Sequence, residues 1–132
     1  MRSLVRKQSF GSVTTLWLDR AELRRRLEVA AQALVAACPE VIGVHLFGSA
    51  ADGRAVPGSD ADVLVLLARS GVRWLDRPLA FARYVDECGI GVELFCYTVD
   101  EATRVPLARQ ALERGMLLAG RSGAAHTPEG PV

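Results

Sequence analysis

Two apolar segments separated by a glycine-rich stretch constrain the fold most. They are VIGVHLF, residues 41–47, and DADVLVLLA, residues 60–68, and the stretch between them holds three glycines and a proline. Apolar runs of this length, bounded by turn residues, are typical of strands buried on both faces. A third run of the same kind is GVELFCYT, residues 91–98. Strands buried on both faces need helices to cover them, so the sequence predicts an α/β (α+β) fold with a mixed β-sheet flanked by helices.

Helical patterns lie before and after these strands. Apolar residues recur at helical spacing over 20–37. Asp19, followed three residues later by Glu22, predicts a capping box at the start of that helix. A second helix is expected over about 76–88, with an aspartate as its N-cap, and a further helical region over 100–114, interrupted by a proline.

Two weaker patterns and the chain length complete the domain organisation. Residues 10–18 are rich in β-branched and aromatic types and predict an edge strand, while 116–119 predict a last short strand or a helix end. The 132 residues suffice for one compact domain and are too few for two. We expect the domain to span 1–120 and the small, polar residues of 121–132 to form a disordered tail.

The balance of charge and the cysteines exclude several classes of protein. Sixteen basic and fifteen acidic residues leave a net charge of +1, which gives no electrostatic argument for binding nucleic acid or a membrane surface. Cys38, Cys88 and Cys96 form no CxxC pair, so neither a zinc site nor a disulfide framework is indicated. No segment has the pattern of a signal peptide or a membrane span. Buried free thiols in a cytoplasmic protein are the expectation.

Two motifs around the glycine-rich loop point to phosphate and metal chemistry. Gly48 and Ser49 directly follow an apolar strand, where exposed amides and a hydroxyl can approach a ligand, although most such pairs form only a turn. Asp60 and Asp62 are two apart in a strand and therefore project to the same face. Two like charges there repel, and oxygen ligands of this kind suit Mg²⁺. The alternative is a solvated junction between loop and strand.

Three further features have more than one interpretation. Glu93 interrupts an apolar strand, and it is either a third metal-facing carboxylate or a side chain in water on an edge strand. His45 alternates with core residues, and we predict a structural role for its ring rather than a catalytic one. The run Arg24–Arg26 is predicted to form a solvated helix face, with a partner surface as the less favoured interpretation.

The stretch HLFGSAADGRAVPGSDADVLVLL resembles the signature of the minimal nucleotidyltransferases of the DNA polymerase β-like superfamily. That signature is Gly-Ser, about ten residues, Asp-x-Asp, and a third acid on a later strand. The resemblance implies a nucleotidyltransferase fold in which Gly48, Ser49 and Ser59 contact the triphosphate. It further implies that Asp60, Asp62 and Glu93 are catalytic and hold metal, with two Mg²⁺ ions and an NTP substrate, ATP in the first instance.

Two departures from the family pattern matter. The third acid is glutamate where relatives more often have aspartate. The loop, which in relatives often carries basic residues after Gly-Ser, here reads Ala50, Ala51 and Asp52, with Arg54 its only basic side chain.

The resemblance also implies a reaction and a kind of partner. Members of the family transfer a nucleoside monophosphate to a hydroxyl, and some act as antitoxin to a helical ribonuclease toxin of the HEPN type. A chain this small has little surface left for an acceptor, so we expect a homo-oligomer or a complex with such a partner. The alternative function is a weakly active or inactive binding module that neutralises a partner by contact alone. The loss of loop basic residues favours that alternative, and the three acids disfavour it.

Overall fold

A computed structural model describes residues 3–121. Its elements, in chain order, are β1 (Val5–Phe10), β2 (Val13–Leu18), α1 (Arg20–Ala37), β3 (Val41–Phe47), β4 (Ala61–Leu67), α2 (Ala82–Val85), β5 (Val92–Thr98), α3 (Val99–Ala102), α4 (Pro106–Arg114) and β6 (Met116–Gly120). Short 3-10 segments cover Gly48–Ala50 and Trp74–Ala80. Helix α1, strands β3 to β5 and the break before α4 lie where the sequence predicted them. The tail predicted at 121–132 lies outside the described residues except for its first.

The central sheet has four strands in the order β5-β4-β3-β6. Strand β3 is antiparallel to β4 and β6, whereas β4 and β5 are parallel. One face packs on α1, whose leucines meet alternate residues of β4 such as Val63 and Val65. The other face packs Leu64 and Leu66 against alanines of α3 and α4. The predicted mixed sheet flanked by helices is therefore confirmed.

The first part of the chain forms a separate two-stranded hairpin. Strands β1 and β2 pair with each other and with no strand of the central sheet, and the turn between them uses Gly11 at a φ of +62°. Only Leu18 of the two strands is buried. The sequence predicted one edge strand over 10–18, which was wrong in extent because the polar segment of β1 shows no apolar alternation.

The start of α1 forms only half of the predicted capping box. The Asp19 carboxylate accepts a hydrogen bond from the Glu22 backbone N–H at 3.1 Å. The Glu22 carboxylate binds the side chains of Arg25 and Arg26 instead of returning to Asp19. The N–H of Asp19 donates to the Leu4 carbonyl at 2.7 Å, which ties the hairpin to the helix.

The prediction that Arg24–Arg26 form a solvated face is wrong for Arg26. Its side chain is buried, forms an ion pair with Glu22 at 2.9 Å and donates to the Cys88 carbonyl at 3.3 Å. Gly89 makes this possible, since a Cβ there would come within 2.5 Å of the guanidinium. Arg24 and Arg25 are exposed as predicted.

The second predicted helix is largely a 3-10 segment. Residues 74–80 form a 3-10 helix that contains Pro78, and α2 adds only four α-helical residues. The predicted N-cap, Asp76, does not cap. Its carboxylate pairs with the exposed Arg73 at 2.9 Å.

Arg77 of this segment is buried and binds both carboxylate oxygens of Glu101, at 2.6 and 3.1 Å. It also donates to the Cys96 carbonyl at 3.2 Å. Strand β5 is an edge strand of the central sheet, and this contact covers part of its unpaired side.

Cys88 and Cys96 are buried, Cys38 is half-buried, and all three are free thiols. No helix within the described residues is long and apolar enough to cross a membrane.

Candidate active site

The loop after β3 begins at a position, Gly48, whose backbone conformation favours glycine. Gly48 has a φ of +73°, and a Cβ on it would lie 2.6 Å from the Asp62 carboxylate oxygen Oδ2. L-residues with a side chain rarely adopt this backbone conformation. The glycine therefore lets the Asp62 carboxylate lie directly against the start of the loop.

Backbone hydrogen bonds fold the loop back on Ser49. Its carbonyl accepts from the N–H groups of Arg54 and Ala55, at 2.9 and 3.1 Å. At the other end of the loop, the Ser59 hydroxyl accepts from the Val56 N–H at 3.0 Å. The residues predicted to contact phosphate thus lie at the two ends of one turn-rich loop: Gly48 and Ser49 at its start and Ser59 at its end.

The three predicted acids lie at one end of the central sheet. Asp62 stands beside Phe47 of β3 on one side and directly beside Glu93 of β5 on the other. Two residues further along each strand, Leu64 of β4 and Phe95 of β5 both pack in the hydrophobic cluster formed with α3 and α4. Because side chains two apart share a face, Asp62 and Glu93 lie on that same face of the sheet.

Asp60 immediately precedes β4, and its carboxylate lies against Gly91, where a Cβ would collide with Oδ1. By strand alternation, Asp60 projects to the same side as Asp62.

The electrostatics show that these carboxylates are not neutralised. Burial, followed by the charges of Glu93 and Asp60, raises the pKa of the Asp62 carboxyl. Within residues 3–121, no Lys, Arg or His forms an ion pair with any of the three acids. A cation at this end of the sheet would relieve their mutual repulsion.

The donor set suits Mg²⁺, because the three acids offer carboxylate oxygens on a common face. Among the described residues, however, no three His, Cys, Asp or Glu side chains are gathered closely enough to hold a metal as they stand. Asp60 and Glu93 are exposed and Asp62 is half-buried. Binding of a divalent cation would therefore require these three side chains to change rotamer and move closer together, and their exposure allows this.

The basic side chain of the loop is already paired. Arg54 binds the Asp52 carboxylate at 2.8 Å, and this hydrogen bond lowers the pKa of the Asp52 carboxyl. Another arginine reaches the loop from α1. Arg20 donates from Nη2 to the Ala55 carbonyl at 3.0 Å.

Two residues of this region were not singled out in the sequence. Gly91 makes room for the Asp60 carboxylate, and its position directly before an acid-bearing strand could have drawn attention to it. Arg20 reaches a loop 35 residues away, and no local pattern signals that contact.

His45 is buried in β3. Its predicted structural role stays a prediction.

Comparison with known proteins gives one family. Residues 27–117 match the model of the nucleotidyltransferase domain. Among solved structures, a candidate nucleotidyltransferase from Sulfolobus solfataricus is similar over 80% of this chain and 86% of its own, with 19% identity and a TM-score of 0.61. A toxin–antitoxin structure with AMP-PNP is similar over 80% of this chain and 76% of that one, with 20% identity and a TM-score of 0.52. No curated protein matches. At these identities the two structures establish the fold.

Proposed function

Because the chain belongs to the nucleotidyltransferase domain family, we propose that it transfers a nucleoside monophosphate, AMP in the first instance, from an NTP to a hydroxyl acceptor in the presence of Mg²⁺. The reaction forms a bond between the acceptor oxygen and the α-phosphorus, and pyrophosphate leaves. Nucleotidyl transfer is the activity of the family. The nucleotide, the metal and the acceptor are the proposed parts.

The observation that carries the proposal is the set of unneutralised acids at the end of the sheet. Asp62 and Glu93 stand side by side with Asp60 next to them, and burial, followed by the charges of Glu93 and Asp60, raises the pKa of the Asp62 carboxyl. Carboxylates kept together without basic partners favour a cation as the missing counter-charge. When bound, magnesium neutralises phosphate charge and lowers the pKa of an attacking hydroxyl. Asp60, Asp62 and Glu93 would hold two such ions, and Glu93 would also accept the proton of the acceptor hydroxyl.

The loop of residues 48–59 is proposed to bind the triphosphate. Gly48 brings the backbone close to the acids, and the hydroxyls of Ser49 and Ser59 stand at its two ends. Hydroxyls and backbone amides at a glycine-containing turn are suited to phosphate oxygens. The triphosphate would then lie between the loop and the acids, with its α-phosphorus toward Glu93. Phosphoryl transfer of this kind depends mainly on positioning and charge.

The acceptor is proposed to come from a second protein in the cytoplasm. The described chain exposes apolar side chains on the 3-10 segment next to β5, with Leu75 71% and Leu79 79% exposed. The ring of Trp74, in the same segment, packs in a tilted arrangement against Tyr97, which lies on the acid-bearing face of β5. Exposed apolar side chains on a segment that contacts β5 are suited to binding a protein partner. A HEPN-type helical protein or a second copy are the partners we propose, and the toxin–antitoxin relative with AMP-PNP shares the fold.

The test combines nucleotide binding with transfer. Wild-type protein, Asp60→Asn and Asp100→Asn are each incubated with Mg²⁺ and the four NTPs, with and without the product of the neighbouring reading frame. The control Asp100 lies beyond the far end of β5 from Glu93 and pairs with Arg104 on the surface. We expect pyrophosphate release and a gain of one AMP mass on the partner with wild type and Asp100→Asn, and neither with Asp60→Asn. Equal transfer by Asp60→Asn would overturn the assignment of the acids.

A contact-only binding module is the second candidate. It is favoured by the pairing of Arg54 with Asp52, which leaves the loop without a free charge of its own, and by the absence of a ready metal cluster within the described residues. The hypothesis of a contact-only module predicts that Asp60→Asn neutralises the partner as well as wild type does, with no change in the partner's mass. The same experiment therefore separates the two functions.

A further inference from the structure

We propose that Arg20 is a positioning residue for the loop of residues 48–59, and that through this loop it sets the affinity for the NTP. This rests on the proposed function, since the loop is there assigned to the triphosphate. Arg20 belongs to the first turn of α1, outside the signature segment. It would act without contacting the reacting atoms.

A short chain of hydrogen bonds joins Arg20 to the phosphate end of the loop. Nη2 of Arg20 donates to the Ala55 carbonyl at 3.0 Å, and the Ala55 N–H donates to the Ser49 carbonyl at 3.1 Å. Ala55 is fully buried, so its carbonyl has little access to water as a substitute acceptor. The position of Ser49 is thereby linked to α1 through a single residue, Ala55, whose C=O and N–H both take part.

The space between α1 and the loop is only partly filled by side chains. A cavity of about 270 Å³ separates α1 from the loop and is lined by residues that include Leu23, Ala51, Gly53 and Met116. Where side chains do not fill the space, dispersion contacts that would fix the loop are lost. The hydrogen bond of Arg20 joins the helix to the loop at the edge of this space.

The positive charge of Arg20 is not neutralised by a carboxylate among the described residues. Among the described residues, Arg20 forms no ion pair, whereas Arg24 binds Glu28 at 3.2 Å and Arg54 binds Asp52 at 2.8 Å. A guanidinium has five N–H donors, and one hydrogen bond to a carbonyl leaves its charge intact. Arg20 thus places an uncompensated positive charge behind a loop whose own arginine is neutralised.

The experiment compares Arg20→Gln and Arg20→Lys with Arg24→Gln, which removes a charge from the same helix and the same cavity wall. Hydrogen exchange of the Ala55 amide is measured without nucleotide, and the dissociation constant for Mg²⁺–ATP is measured well below the melting temperature. We expect Arg20→Gln to accelerate exchange at Ala55 and to raise the dissociation constant about tenfold, the effect of losing one charge-assisted hydrogen bond. Arg20→Lys should recover part of the affinity, and Arg24→Gln should match wild type.

Each other outcome decides against the proposal or against the function beneath it. If Arg20→Gln lowers the melting temperature but leaves both Ala55 exchange and the dissociation constant unchanged, Arg20 is merely structural. Equal weakening by Arg24→Gln would make the effect one of general charge, and the positioning role would be lost. If wild type binds no NTP, the proposed function fails together with the affinity claim, while the exchange at Ala55 still decides whether Arg20 holds the loop.

Discussion

Replacing Asp62 by asparagine should make the metal-free protein more stable at neutral pH. The carboxylate is half-buried beside Glu93, and burial with the charges of Glu93 and Asp60 raises its pKa above the ordinary 3.8. Adjacent strands are about 5 Å apart, and two unit charges at that distance repel by on the order of 1 kcal/mol even with the screening of water. The isosteric amide removes this repulsion. We expect a gain of about 1 kcal/mol, which is roughly 3–6 °C in melting temperature for a domain of this size.

The pH dependence gives the sign of the effect. A carboxyl whose pKa is raised by folding contributes its stability below the unfolded pKa and loses it as the pH rises through the folded pKa. The advantage of Asp62→Asn should therefore be absent below the ordinary aspartate pKa of 3.8 and should grow as the pH rises past it. The assay is thermal unfolding followed by circular dichroism from pH 3 to pH 8 in EDTA. Asp100→Asn, which loses a surface ion pair with Arg104, serves as the control and should show no gain.

Two results would refute this reasoning. A melting temperature for Asp62→Asn at or below that of wild type at pH 7.5 would mean that the three acids do not repel one another in the folded protein. A gain that persists unchanged at pH 3 would have to come from packing rather than charge. Added Mg²⁺ and ATP should reverse the order of the two proteins, since a ligand that binds only the folded state stabilises the wild type by mass action.

Three further substitutions test other parts of the structure. Gly48→Ala should destabilise by about 1–2 kcal/mol in urea unfolding, because its φ is +73° and its Cβ would press on Asp62. Glu101→Gln should cost roughly 2–4 kcal/mol by leaving the buried Arg77 without its carboxylate. The pKa of Glu101 is lowered to about 2 by that arginine, so the wild-type advantage should disappear as the pH falls from 4.5 toward 2. Leu79→Ser, at a side chain 79% exposed, should leave the melting temperature of the monomer unchanged within about 1 °C and weaken any association through that surface in sedimentation. A loss of several degrees in the monomer would show that Leu79 packs within its own chain.

The candidate site could be anticipated because its parts are local in the sequence. Asp60 and Asp62 share a face by strand alternation alone, and Gly48 stands at a turn after an apolar strand. The position of Glu93 was harder, because a slip of one residue in the pairing of β4 with β5 would have moved it to the opposite face. The structure pairs Asp62 with Glu93, which removes that ambiguity about placement.

The contacts that sequence reasoning missed concern side chains whose partners lie far along the chain. Arg26 was predicted in solvent, yet it is buried against the Cys88 carbonyl, 62 residues away. Arg77, for which no prediction was made, is buried and bound to Glu101, 24 residues on. Helical periodicity reports only which face a residue occupies, and a long side chain on the border of that face can turn either way. The hairpin was half missed for a related reason, since strand β1 is recognisable only through its pairing with β2.

The hairpin strands contribute only Leu18 to the buried core. Among the described residues these strands pair with each other and with no strand of the central sheet. The links of the hairpin to the start of α1 include the bond from the Asp19 N–H to the Leu4 carbonyl and the ion pair of Arg6 with Asp19. A two-stranded ribbon alone is marginally stable in water. Opening it should therefore cost much less free energy than unfolding the central sheet. A change in the length or the exposed side chains of this hairpin should therefore have little effect on the geometry of the acids and the loop.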